Sequence, residues 1–126
     1  MRFIKYNLIF LLSALILVPA SVFALQVPPS VNSKWLIDNL TQPDLTIIEM
    51  SNEVGFSFDG HIPGSVVTNK SDWRYASSDG TLLRYPVAKL AEKIRQLGIN
   101  NQDGVVIYYK GDNIDEVLGT FYLYWV

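Results

Sequence analysis

Two hydrophobic rhythms organise the chain, one of short continuous runs and one of helical spacing. Residues 45–50 (Leu-Thr-Ile-Ile-Glu-Met) and 105–109 (Val-Val-Ile-Tyr-Tyr) are nearly unbroken apolar runs rich in β-branched side chains. Such runs suit strands covered on both faces. Between them, residues 86–97 place Val87, Leu90, Ala91, Ile94 and Leu97 on one stripe, which predicts an amphipathic helix. Pro86 suits the first helical position, Lys93 and Arg95 sit where the helix dipole favours cations, and Gly98 supplies the stop. An earlier helix is expected over residues 31–40. Asn32 caps it, Val31 and Leu36 occupy the two positions of a hydrophobic staple, and Trp35, Leu36 and Leu40 face inward. Residues 41–44 form a turn and residues 66–68 a short strand. A last helix should follow residues 110–113, capped by Asn113 or Asp112, with Asp115 and Glu116 in its first turn. Its apolar stripe is Ile114, Val117, Leu118, Phe121 and Trp125. Strand, helix and strand in this order form a βαβ-like unit. The expected class is α/β, with a parallel central sheet flanked by helices and a right-handed crossover.

Two stretches show neither rhythm. Residues 51–58 read as irregular chain whose Phe56 and Phe58 pack beneath the turn that follows. Residues 70–85 form a long polar stretch carrying Trp73, Tyr75, Asp79-Gly80 and Arg84, either a partner-facing excursion or a plain surface insertion. Trp73 reads as a core or rim aromatic. The last apolar stripe runs to Val126 without glycine, cation or polar tail, so the domain is expected to be incomplete at its C-terminus.

The N-terminus changes the picture of composition. Arg2 and Lys5 precede an apolar run over residues 8–18, Pro19 breaks it, and Val22-Phe23-Ala24 has the small residues of a cleavage site. Residues 1–24 are therefore expected to be a secretory signal peptide, followed by a Pro28-Pro29 linker over 25–30 and one domain over 31–126. Export, to a bacterial periplasm, leaves no membrane segment after cleavage; the alternative is an uncleaved N-terminal anchor. The whole chain has 126 residues, a net charge of −2 and 49% hydrophobic residues, the last figure raised by the leader. With 12 acids against 10 cations and no basic cluster, it lacks the footprint of a nucleic-acid binder. It has no cysteine, hence no disulfide and no lipoprotein anchor. One histidine with scattered acids at no ligand spacing makes no metal site, and no cofactor is expected.

The most distinctive turn is Gly60-His61-Ile62-Pro63-Gly64-Ser65 after Asp59. Gly60 and Gly64 allow backbone angles closed to other residues, Pro63 fixes its own φ, and His61 can tie the turn to nearby backbone. This hexapeptide resembles the Gly-His-Ile-Pro-Gly-Ala signature of the rhodanese (thiosulfate sulfurtransferase) family, in particular the first domain of its tandem two-domain members. Leu97-Gly98-Ile99 followed by Val105-Val106-Ile107-Tyr108 is similar to the family's next helix and central strand. Val31, Trp35 and Leu36 are similar to its opening helix, so the likeness covers about residues 30–126. It implies a rhodanese-like domain. It also implies a persulfide-forming cysteine directly after the central strand, the position held here by Tyr109, with residues 110–113 as the loop. A phenol of ordinary pKa about 10 cannot take up sulfane sulfur, so no catalytic residue is expected. Glu49-Met50-Ser51 stands where the family often has an Asp-x-Arg brace, and the arginine is missing. The resemblance then implies a silent first domain packed on a cysteine-bearing rhodanese domain, in the same gene product or on a separate chain. Residues 110–113 and 70–85 would face that partner. Lys110, Arg74 and Arg84 are candidate cleft contacts for an anionic sulfur donor such as thiosulfate, or ordinary surface cations. The rival reading is a stand-alone binding or regulatory module without chemistry.

Overall fold

The computed structural model describes residues 25–124 and 126. The leader expected over residues 1–24, and the place of Trp125 on the last stripe, lie outside the described residues. Among these, no helix is long and apolar enough to cross a membrane.

Helix α1 (Ser33–Asn39) begins where Asn32 accepts a 2.9 Å hydrogen bond from the Trp35 amide, the cap expected from sequence. It is followed by strand β1 (Leu45–Met50), helix α2 (Glu53–Phe58), strand β2 (Val66–Thr68) and a single 3-10 turn (Lys70–Asp72). Strands β3 (Arg74–Ala76) and β4 (Leu82–Arg84) come next, then helix α3 (Val87–Gln96), strand β5 (Gly104–Tyr108) and helix α4 (Ile114–Tyr124). The molecule is an α/β fold. Its central sheet has three parallel strands in the order β2-β1-β5, with helices flanking it. Ile48 lies opposite Val66 on one side and Ile107 on the other, so β1 is the middle strand. That position explains its unbroken apolar run: Ile47, Ile48, Glu49 and Met50 are all buried. The core joins Ile48 and Met50 to Trp73, Leu90 and Leu123, with Val66, Ile94, Leu97, Val105 and Ile107 packed around them.

Several local expectations need correction. Residues 51–58 are not irregular: Asn52 accepts from the Gly55 amide at 2.8 Å and starts α2. Gly55 and the helix's length of six residues hide it from a periodicity reading. Phe58 is 83% exposed and does not pack beneath the turn. The stretch over residues 70–85 is no featureless loop either. Strands β3 and β4 pair antiparallel, Arg74 opposite Arg84, around a turn in which Asp79 accepts from the Ser77 hydroxyl and the Thr81 amide. Strands of three residues are too short to show alternation. Trp73, just before them, is fully buried and donates from Nε1 to Thr68 Oγ1 at 3.1 Å, so it is a core residue.

In α3, Pro86 is the cap residue rather than the first helical one, and Val87 in the first turn is exposed while Leu90 is buried. Strand β5 begins one residue early, because the Gly104 amide already bonds the Asp44 carbonyl at 2.7 Å, and Tyr109 falls outside it. The buried face of α4 is turned from the expected stripe. Gly119 and Leu123 are buried, whereas Ile114 and Phe121 are exposed. The cause is Gly119: a Cβ there would lie 2.5 Å from Met50 Sδ and 3.2 Å from Lys70 Cα, so the helix seats on β1 through its side-chain-free residue.

Candidate functional site at the strand ends

In a parallel sheet all strands finish at one edge, and the loops at their carboxyl ends form the usual crevice for chemistry. Here that edge gathers the start of α2 and the loop over residues 109–113. The turn over residues 59–65, which leads into the amino end of β2, is tied to it by the Tyr108 and Lys110 side chains. Gly60 and Gly64 have φ of +76° and +79°, in the left-handed region that a side chain would strain. The Ser65 amide and hydroxyl both donate to the Ile62 carbonyl, at 3.0 and 2.7 Å, closing the turn. His61 stacks on Phe56 with ring centroids 3.9 Å apart, and its Nδ1 lies 3.0 Å from the Phe56 carbonyl. A carbonyl can only accept, so Nδ1 carries the proton and His61 fastens the turn to α2.

Beneath the turn lies a polar network at the ends of two strands. Glu49 and Tyr108 are cross-strand partners in the β1–β5 ladder, and the Tyr108 hydroxyl donates to Glu49 Oε2. The same hydroxyl accepts from the Ile62 amide at 3.0 Å and lies 3.3 Å from Ser65 Oγ. Glu49 is wholly buried, and its Oε1 has the Lys110 ammonium at 3.0 Å, an ion pair without an aligned hydrogen bond. Lys110 also donates to the Gly60 carbonyl at 2.7 Å and reaches the Gly55 carbonyl at 3.4 Å. Burial, then the neighbouring carboxylate of Glu49, holds the Tyr108 phenol above its usual value. That carboxylate also lifts Lys110 above the ordinary lysine range. The network ties β1, β5, the loop and the glycine turn together without the arginine that the resemblance leads one to look for.

The expected site residues therefore fall into three places. The turn of Gly60, His61, Ile62, Pro63 and Gly64 meets Lys110 through the Gly60 carbonyl, whereas Tyr109 lines a cavity on the side of α1 and α4. Tyr109 directly follows β5 and is 43% exposed, while Lys110 is turned inward. Arg74 and Arg84 are brought together elsewhere, opposite each other on the hairpin, with Arg74 4.9 Å above the Tyr122 ring. Neither shares a partner with Lys110. What the sequence reading lacked was the pairing of Glu49 with Tyr108. The available signal was one polar atom set at the same end of each apolar run, but only the register shows that they meet.

No group of three or more histidine, cysteine, aspartate or glutamate side chains that could hold a metal occurs among the described residues. Chemically, the strand-end edge offers a buried carboxylate, a phenol, an ammonium and a hydroxyl, all engaged with one another. It offers no soft nucleophile, because the chain has no cysteine and thus no residue able to carry a persulfide.

No protein-family profile matches the chain. Over 79 residues, 35% are identical to SseA of Mycobacterium leprae (strain TN), a protein named for thiosulfate sulfurtransferase activity. The aligned stretch is 62% of this chain but 26% of SseA, so the match spans about a quarter of that relative's length. The chain is thus distantly and partially similar to a thiosulfate sulfurtransferase, on an α/β fold whose parallel sheet and flanking helices are consistent with a rhodanese-like domain.

Proposed function

We propose that this chain is a rhodanese-like module that transfers no sulfur itself and acts by packing against a cysteine-bearing rhodanese domain, as a non-catalytic first domain would. The observation that carries the proposal is Tyr109 directly after β5, at the carboxyl edge of the parallel sheet, in a chain without cysteine. Transfer from thiosulfate through a covalent enzyme intermediate requires a thiolate that attacks the outer sulfur, forms an S–S bond and releases sulfite. The tyrosine hydroxyl forms no such bond. The loop's own cation is unavailable to draw in an anionic donor, since Lys110 is held by Glu49 and the Gly60 carbonyl. That arrangement favours a structural role for the loop. Residues 1–24 would export the chain before it meets its partner.

The test has two arms. The purified chain is incubated with thiosulfate, and its intact mass is measured for an added sulfur atom; none is expected. It is then titrated calorimetrically with a cysteine-bearing rhodanese domain encoded beside it or in the same reading frame. Saturable binding is the expected result, and a stable sulfur adduct or no heat of binding would refute the proposal.

A further inference from the structure

Helix α2 shows solvent a face that folding alone does not account for. Val54 and Phe58, four residues apart and so on one side of the helix, are 67% and 83% exposed. Ile114, at the start of α4, is 65% exposed. Asn52 and Asn113, the residues just before the two helices, line one cavity of about 260 Å³, which sets the two helix starts side by side. Lys110 reaching the Gly55 carbonyl brings the loop over residues 109–113 against the same helix.

The charges around these apolar side chains are one-sided. Glu53, Asp59 and Asp112 are exposed, and none belongs to an ion pair among the described residues. The cations of the strand-end loops are both engaged elsewhere: Lys70 with Asp115 at 2.5 Å and Lys110 with buried Glu49 at 3.0 Å. The result is a set of exposed apolar side chains, Val54, Phe58 and Ile114, flanked by carboxylates of which none is in an ion pair among the described residues and only Asp59 feels a nearby cation, Lys110. A surface with exposed aromatic and aliphatic anchors and a charged rim of one sign has the make-up of a protein interface.

We infer that the face formed by α2 and the loop over residues 109–113 docks a protein surface with an apolar anchor ringed by lysine and arginine. The inference rests on the reading of the chain as a docking module and adds the chemistry of the partner. Phe58 is the anchor on this side, and the rim acids select the sign of the approaching surface. A nucleic acid or an acidic protein is repelled by the same rim.

The experiment uses the purified chain and two synthetic peptides, one with a leucine centre flanked by lysines and its twin with glutamates in their place. Binding is followed by amide chemical shifts. The lysine peptide should move the amides of residues 53–59 and 110–114 saturably, and the glutamate twin should leave them in place. Phe58→Ser should weaken the lysine peptide about tenfold, with an unchanged melting temperature because the side chain is exposed. Asp59→Asn with Asp112→Asn should weaken it and flatten its salt dependence. Shifts centred elsewhere, equal binding of the twin, or full affinity in Phe58→Ser would each overturn the inference. Sulfur uptake by the chain would remove the reading of the previous subsection and leave these amide shifts standing, so the two failures are distinct.

Discussion

Gly119 is the residue on which the packing of α4 over the sheet turns, and replacing it with alanine gives a result whose sign is informative. A Cβ at position 119 would lie 2.5 Å from Met50 Sδ, 2.9 Å from Met50 Cγ and 3.2 Å from Lys70 Cα, where ordinary contact is 3.4–4 Å. Met50 is fully buried between Ile48, Trp73, Leu90 and Leu123, so it has no solvent to retreat into. Lys70 Cα is backbone in the 3-10 turn, held by the bond from the Asp72 amide to the Asn69 carbonyl. Forcing a methyl into such a contact costs about 1–3 kcal/mol. Removing a glycine from a helix interior returns about 1 kcal/mol. The net expectation for Gly119→Ala is a loss of up to about 2 kcal/mol, a fall in melting temperature of roughly 4–8 °C per kcal/mol for a domain of this size. Gly119→Val should cost more, since it adds two further carbons and has a poorer helix preference. Circular dichroism during thermal and urea unfolding provides the assay. At a solvent-facing helical glycine the alanine variant would instead raise the melting temperature. A cycle with Met50→Ala sharpens the test: that change alone should cost about 2–5 kcal/mol, and the double variant should cost less than the sum because the new methyl enters the vacated space. A stabilised Gly119→Ala, or strict additivity with Met50→Ala, would refute the close seating of α4 on β1.

Three further outcomes follow from the strand-end network and the core. Lys110→Met should lower the urea midpoint more than Glu49→Gln, because the first leaves a wholly buried carboxylate without counter-charge, whereas the second leaves an ammonium that is 34% exposed and free to turn outward. In alkali, Tyr108 and Lys110 both hold their protons more tightly folded than unfolded; their contribution is intact below the unfolded values of 10.0 and 10.5 and is lost as pH rises through the raised folded ones. Melting temperatures measured from neutral pH upward should fall in that window, and less steeply in Tyr108→Phe. In acid the sign reverses for Asp72: burial opposes its ionisation, but bonds from Lys93, the Asn69 amide and Thr68 outweigh it and keep its carboxyl below the usual 3.8. That stability is present above pH 3.8 and disappears as pH falls through the depressed value, a loss that Lys93→Met should diminish.

How far the fold could be read from sequence depended on the length of each element and the range of its contacts. Strand β1 was legible because a middle parallel strand buries both faces and writes an unbroken apolar run, and β5 because its apolar run packs on the core although it lies at the edge of the sheet. Helix α3 was legible because ten residues suffice for a stripe. Helix α2 and the β3–β4 hairpin were not, since six and three residues are shorter than the patterns that reveal them. The stripe of α4 misled for another reason: hydrophobicity marks side chains, and the face that seats the helix is centred on a residue with none. At the strand ends, the glycine turn was legible from backbone chemistry. The Glu49–Tyr108–Lys110 network was not, because it joins residues 59 and 61 positions apart that only the sheet register brings together. Lys110, read from sequence as a loop cation, is an internal partner of a buried acid.

The decisive measurement is thiocyanate formation from thiosulfate and cyanide by the purified chain. The absence of any cysteine leads to a rate equal to the protein-free blank at every protein concentration. Turnover that scales with the chain's concentration and vanishes on unfolding would contradict this.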